Sequence, residues 1–453
     1  MRATLLRAGC GRVLLAGLLA APAQAQRPVT LAEALARADR HAYGNRAARA
    51  ARDLQAAERD RTLRGLLPSL KAEAGWMRTT DPMTAFGFQL RQRSVTQASF
   101  SPDRLNHPAA ITNFGTGFVA EVPLINPEVW LGRWAAAAAT QAAAASAQWT
   151  RNQAQLDVVQ AYFGGVLMRE QVSALEAGLA AAQSHVRRAQ SLLEQGMVTR
   201  SDLLLAEVRT GDVETQLLAA RGGAALATRR LALAFGTPDD TELVLPAALP
   251  DPDLLTPLLR ADSGVTRADV QAARLGQEAG RRDVSRATAL WLPRLNSFGR
   301  LDWNTADAPF GSRASWTVGV MVSWSLFGGG NELVERRAAQ ARAARAAAMA
   351  EAATAQARLE QAERRNNLDV AMATLRIAAR AVQQAGEAHR IVTRKYEGGL
   401  ATVTELLEAS ALETRARVEH GAARYRVISA IAAWRVALGY DVTDLTVLDR
   451  NGN

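Results

Sequence analysis

The 453-residue chain sets 54 Lys and Arg against 44 Asp and Glu, a formal charge of +10, and has one cysteine, Cys10. One thiol cannot build a disulfide framework or a zinc-cysteine site. The basic excess is almost wholly arginine, with Lys71 and Lys395 the only lysines, and it is scattered without an aromatic-basic cluster, so it reads as solvated helix faces and not as a nucleic-acid surface.

Arg2, Arg7 and Arg12 flank the apolar run from Val13 to Ala21, and Ala23-Gln24-Ala25 follows as a small-x-small cleavage site. Residues 1–25 are therefore predicted to be a signal peptide, whose removal takes three arginines and lowers the charge from +10 to +7. Cys10 precedes the apolar run, which is the wrong side for a lipidation site. No later segment approaches the 18 or more apolar residues of a transmembrane helix. Any membrane-embedded part must be strands.

From residue 26 the chain reads as two copies of one plan. The first repeat, 26–236, holds a helix over about 30–66, a β-hairpin over about 68–126, a helix over about 129–195, a turn, and a return helix over about 202–236. Pro238, Pro246, Pro250, Pro252 and Pro257 crowd an irregular connector, 237–262. The second repeat, 263–440, holds a helix over about 263–291, a hairpin over about 293–328, a helix over about 330–396, a turn and a return helix over about 403–439; a tail, 441–453, follows. Proline is absent from 128–237 and from 310–453, and these tracts are rich in strong helix formers. Each long helix would reach roughly 100 Å at 1.5 Å per residue, twice the length of a short one. Leu175, Leu179, Ala182, Val186, Ala189 and Leu193 step by four and three, a coiled-coil seam repeated at Ala378, Val382, Ala385, His389, Val392 and Tyr396.

The repeat is most literal at the turns, where Gln195-Gly196-Met197-Val198-Thr199 returns 203 positions later as Gly398-Gly399-Leu400-Ala401-Thr402. The windows 66–134 and 291–327 hold fifteen of the 24 aromatic residues, in stretches of strict alternation. Trp316, Val318, Val320, Val322, Trp324 and Leu326 form one row. Phe114, Phe118 and Val122, then Leu70 and Trp76, then Leu301 and Trp303 form the others, with Phe298 out of phase on the polar side. Trp76, Phe118, Val122, Trp303, Trp316, Val318, Val320, Val322 and Trp324 are expected to face lipid, as in an outer-membrane barrel. The competing reading of the alternation is a soluble sandwich. Four strands cannot close a barrel, so several copies are expected to share one. The loop at about 79–113 is polar enough to lie outside the cell.

These residues resemble the TolC family of outer-membrane efflux proteins. Leu67-Pro68-Ser69-Leu70 and Leu292-Pro293-Arg294-Leu295 carry the resemblance at the strand entries, Pro123-Leu124-Ile125-Asn126 and Ser325 to Gly330 at the strand-to-helix passages, and the two turns at the tips. The resemblance implies a mixed α+β membrane protein: a homotrimer whose four strands per chain form a 12-stranded barrel, continuous with a coiled-coil α-helical barrel. It implies an outer-membrane location with a large periplasmic part, in a Gram-negative bacterium, and service as exit duct to a periplasmic adaptor and an inner-membrane pump. A proton-driven pump and drug-type efflux are preferred; an ATP-driven secretion system or metal efflux is the alternative.

The adaptor would dock on Gly196, Met197, Val198, Thr199, Gly399, Leu400, Ala401 and Thr402. Glu405 and Glu408 would form rings at the tunnel aperture, and Tyr396 and Asp202 would help latch it shut. Acids in a helix's first turn also serve its dipole, so the aperture role has a plain competitor. Catalysis is not expected: His41, His107, His185, His389 and His420 show no ligand spacing, no nucleophile or phosphate-loop motif occurs, and no cofactor or metal is implied. A periplasmic coiled-coil adaptor or scaffold is the rival of another class, and the two aromatic hairpins speak against it.

Overall fold

The computed structural model describes residues 28–237, 243–259, 266–311 and 313–451; the expected signal peptide lies outside them. Helix α1 (Leu31–His41) starts on a capping box, in which the Thr30 hydroxyl accepts from the Glu33 amide and the Glu33 carboxylate accepts from the Thr30 amide. The single helix expected over 30–66 is interrupted: Ala42 turns out of helical geometry (φ −54, ψ 132) and α2 (Tyr43–Arg61) resumes after it. The buried Asn45 amide donates to the Ala38 carbonyl at 3.1 Å, which compensates the break.

Strand β1 (Ser69–Thr79) leads into a segment that is more ordered than its polar composition suggests. It holds α3 (Pro82–Arg91) and α4 (Pro102–Asn106) before β2 (Ile111–Ile125). Asp81 caps α3 by accepting from the Thr84 amide at 2.8 Å, Pro82 sits in the first turn, Ala85 and Phe88 are buried, and Phe86 meets Phe100 edge to face at 5.7 Å. The chain then forms α5 (Pro127–Glu194), α6 (Arg200–Phe235), α7 (Ala268–Ala289), β3 (Arg294–Thr305), β4 (Ser315–Ser323), α8 (Asn331–Glu397) and α9 (Val403–Leu438). With 68 and 67 residues, α5 and α8 are each about 100 Å long.

The helices pack side by side, α5 against α6 and α7, and α8 against α7 and α9. Leu175, Ala182, Ala189 and Ala385 of the predicted seams are buried, and the rest of the two series are buried or half-buried. The main core lies at mid-height, where Leu35, Val159, Phe163, Phe235 and Ile431 enclose Leu255 of the connector. Besides the 3-10 turns of Pro252–Leu259, helix side chains bond the backbone of the connector's described residues. Arg169 donates to the Leu245 carbonyl, Arg424 to the Leu249 carbonyl, and Glu170 accepts from the Leu249 amide at 2.9 Å.

The four strands form one antiparallel sheet in chain order. The register brings Trp76 opposite Phe114, Phe118 opposite Leu301, Leu301 opposite Trp316, Ser297 opposite Val320 and Leu295 opposite Val322. Because side chains alternate along a strand, the apolar rows of all four strands share one face. The other face carries Lys71, Glu73, Gly117, Glu121, Arg300 and Asp302. The pairing slips between Pro123 and Ile125, where proline lacks the N–H a ladder needs. Phe298 is on the polar face, as its phase indicated, directly opposite Gly319, where a Cβ would come within 2.8 Å of its ring.

One member of the expected lipid-facing set lies outside the strands. The fourth strand ends at Ser323, and the Trp324 indole donates to the Trp291 carbonyl at 3.0 Å, near the C-terminal end of α7. In a single chain β1 and β4 are the two open edges of the sheet.

Candidate functional site: the helix-turn-helix tips

Both tips are built by the same hydrogen bonds. After α5, Gly196 (φ +73) donates its N–H to the Leu193 carbonyl and Met197 donates to Leu192, both at 2.9 Å. After α8, Gly399 (φ +71) donates to Tyr396 at 3.1 Å and Leu400 to Lys395 at 2.8 Å. This is a Schellman ending, in which the left-handed residue is almost always glycine. Each return helix then opens on a capping box. The Thr199 hydroxyl accepts from the Asp202 amide while the Asp202 carboxylate accepts from the Thr199 amide, and Thr402 and Glu405 repeat the arrangement.

The turns hold apolar side chains in solvent. Met197 is 62% and Leu400 81% exposed. Just behind them Ala206, Tyr396, Val403, Leu406 and Leu407 form a small buried cluster with Ala401 packed on it.

Asp202 and Glu405 occupy equivalent places in the two repeats, and both carboxylates are engaged by their caps. Glu405 is held below the ordinary carboxylate range by the Thr402 amide first and the Thr402 hydroxyl second. It is exposed, and so is Glu408 one turn on, on the same side of α9. The two candidate latch residues are not joined to each other. Asp202 bonds both the amide and the hydroxyl of Thr199, while the Tyr396 ring is buried and its hydroxyl has no hydrogen-bond partner among the described residues. Burial first, and the charge of Asp202 second, raise the Tyr396 pKa.

Other residues join the long helices near the tips. Arg188 of α5 and Glu397 of α8 form an ion pair at 2.6 Å. Three residues before Arg188, His185 meets His389 of α8 edge to face, with ring centroids 5.9 Å apart. His389 Nδ1 lies 2.6 Å from Glu413 of α9, and the other nitrogen, Nε2, of each histidine is buried without a hydrogen-bond partner among the described residues. In the sequence these histidines look scattered. The only signal was their separation, 389 − 185 = 204, one residue from the 203 repeat.

Among the described residues no three His, Cys, Asp or Glu side chains converge to hold a metal ion. No described helix is long and apolar enough to cross a membrane.

Two measurements check this description. Thr402→Val removes the cap, about 1 kcal/mol, and is expected to speed hydrogen exchange of the Glu405 amide about fivefold. Glu405→Gln keeps an acceptor for the capping box and is expected to leave that exchange nearly unchanged; equal acceleration by both would mean that charge, not the bond, starts the helix. Burial first, then the charges of His389 and Arg188, lower the pKa of His185. The unfolded imidazole therefore takes its proton first, near pH 6.5. Stability at the tip is full above that value and is lost as the pH falls from there toward the lower folded pKa. Protection factors of the Ala182 to Arg188 amides should drop between pH 7 and pH 5, and His185→Phe should flatten the drop. An unchanged slope in the variant would assign it to other groups.

Residues 262–440 match the family model described as outer membrane efflux protein. Among solved structures the fold is similar to VceC, an outer membrane protein of Vibrio cholerae, at 20% identity and a TM-score of 0.73 over 91% of this chain and 96% of that one. It is similar to the CmeC outer membrane channel of Campylobacter jejuni at 16% identity and 0.74, over 98% and 95% of the two chains. The MtrE outer membrane channel of Neisseria gonorrhoeae, in its open state, gives 17% and 0.72 over 91% and 89%. No curated protein matches the chain. Identities this low speak for the fold alone, and the family match is confined to the second repeat. Residues 262–440 are thus similar to the outer membrane efflux protein family, and over most of the chain the fold is that of the outer-membrane proteins named above.

Proposed function

We propose that three copies of this chain pair β1 of one with β4 of the next into a twelve-stranded barrel, and that the helices beneath continue it as an exit duct for small molecules of the drug type. The carrying observation is a four-stranded sheet with two open edges and one continuous apolar face. In hydrocarbon each unpaired backbone group costs several kcal/mol, so such a sheet needs partners for both edges. A periplasmic adaptor and an inner-membrane pump, proton-driven on this reading, would deliver cargo at the tips, where Met197 and Leu400 offer an apolar contact. Drug-type efflux is preferred to metal export because the sequence carries no His- or Met-rich cluster. Polypeptide secretion stands as an outcome of the test: in cells lacking their own exit duct, the chain should restore extrusion of a fluorescent dye and not release of a secreted polypeptide, and the reverse result would exchange the two.

Glu405 and Glu408 supply two rings of three carboxylates in that assembly. Like charges about 6 Å apart repel by roughly 3 kcal/mol at an effective dielectric near 20, which favours bound cations. Glu405→Gln with Glu408→Gln should therefore weaken block of single-channel current by divalent cations while the cap at Thr402 persists; undiminished block would remove the aperture assignment. Val320→Arg, in the middle of the apolar row, should cost about 2–4 kcal/mol at the bilayer midplane and lower the yield of trimers. Met321→Arg, one residue on and on the opposite face, should be tolerated. The opposite ranking would mean that the faces of the sheet are reversed.

A further inference from the structure

The segment between β1 and β2 lies across the polar face of the sheet. At the end of α3, Gln92 Nε2 donates to the Thr112 carbonyl at 2.7 Å and to Asn113 Oδ1 at 3.0 Å, and Asn113 in turn donates to Asn304 Oδ1 at 3.0 Å. Asn113 and Asn304, 5% and 8% exposed, share the face of Gly117, Arg300 and Asp302. Helix α3 reaches past β2 to touch β3. It therefore covers the side of the sheet that a closed barrel turns toward its lumen, at the end remote from the long helices.

Arg91 and Arg93 flank the anchored Gln92, and both are exposed. Neither has an acidic partner among the described residues. Below them on the same face Arg300 is neutralised by Asp302 at 2.8 Å and Glu73 at 3.7 Å. Residues 80–110 contain Arg91, Arg93 and Arg104 against Asp81 and Asp103, and Asp81 is engaged in capping α3.

The backbone at Arg93 adds an independent observation. Arg93 donates to the Leu90 carbonyl at 3.1 Å and Ser94 to Gln89 at 2.9 Å, the same Schellman pattern as at the tips. At Gly196, Gly236, Gly399 and Gly439 the chain fills the left-handed position of a helix end with glycine. Here an arginine takes it, at φ +55, although glycine would avoid the steric cost. Strain kept at one site is a pointer to a side chain that is used.

We propose that Arg91 and Arg93, held across the mouth by α3, form an anion-selecting collar at the exit of the duct, favouring the passage of small anions and anionic substrates. The inference rests on the trimeric barrel proposed above, in which three copies place six guanidinium groups around one opening. Rings of one sign at a constriction set which ions pass.

The test is the reversal potential of the purified protein in planar bilayers under a tenfold gradient of potassium chloride. Arg91→Gln combined with Arg93→Gly should lower the chloride-to-potassium permeability ratio by about threefold or more. The melting temperature should hold or rise, because glycine relaxes residue 93. Arg91→Lys with Arg93→Lys should keep the wild-type ratio. An unchanged ratio in the conducting Gln/Gly variant, or an equal loss in the Lys pair, overturns the collar and leaves the duct intact. Wild-type protein that inserts but carries no ionic current removes the duct, and the collar with it.

Discussion

A hydrogen-bonding backbone cannot be left unpaired in hydrocarbon, and this requirement orders the rest of the molecule. Each chain brings four strands whose apolar side chains share one face, and it leaves β1 and β4 unpaired at the edges. Such a sheet is at home neither in water, where Trp316, Val318, Val320 and Val322 stand exposed, nor alone in a bilayer. Sharing one cylinder among copies resolves both problems. The duplication then has a mechanical sense, since each repeat supplies one hairpin above and one helical pair below.

The helical part depends on packing of a different kind. Alanine-rich seams let α5, α7 and α8 approach closely, while the bulky core is gathered at mid-height around the connector. There arginines act as ties: Arg267, 4% exposed, pairs with Asp269 and Glu360 at 2.8 and 2.9 Å and lies over the Trp149 ring at 4.6 Å. The tips lack a comparable core and rely on two Schellman turns, two capping boxes and one small cluster. A region with so few buried contacts belongs to the less stable end of a structure.

Much of this was legible in the residues because it rests on local rules. Proline-free tracts marked α5, α6, α8 and α9, steps of four and three marked the seams of α5 and α8, and alternation marked the strands. Thr199-x-x-Asp202 and Thr402-x-x-Glu405 spell the capping boxes, a role for the two acids beside the aperture, latch and dipole roles that the sequence suggests. What depends on contacts between distant segments could not be read. The break at Ala42 is compensated by Asn45, α3 is short and lies in a loop of mixed composition where Ala85, Phe86 and Phe88 find their partners only in the folded chain, and the meeting of His185 with His389 requires the register of two long helices. Trp324 continued the alternation on paper, but its indole bonds the Trp291 carbonyl and the strand stops one residue earlier.

The most direct measurement is disulfide trapping between the two edge strands. The only natural cysteine is Cys10, in the expected signal peptide. Cysteines stepped along β1 around Ala72 and along β4 around Val320 lie three strands apart within one chain, about 14 Å, beyond the reach of a disulfide. Oxidation in the outer membrane should therefore yield linked dimers and trimers at one register and nothing larger. Monomers at every register, with the protein properly inserted, would contradict the shared barrel.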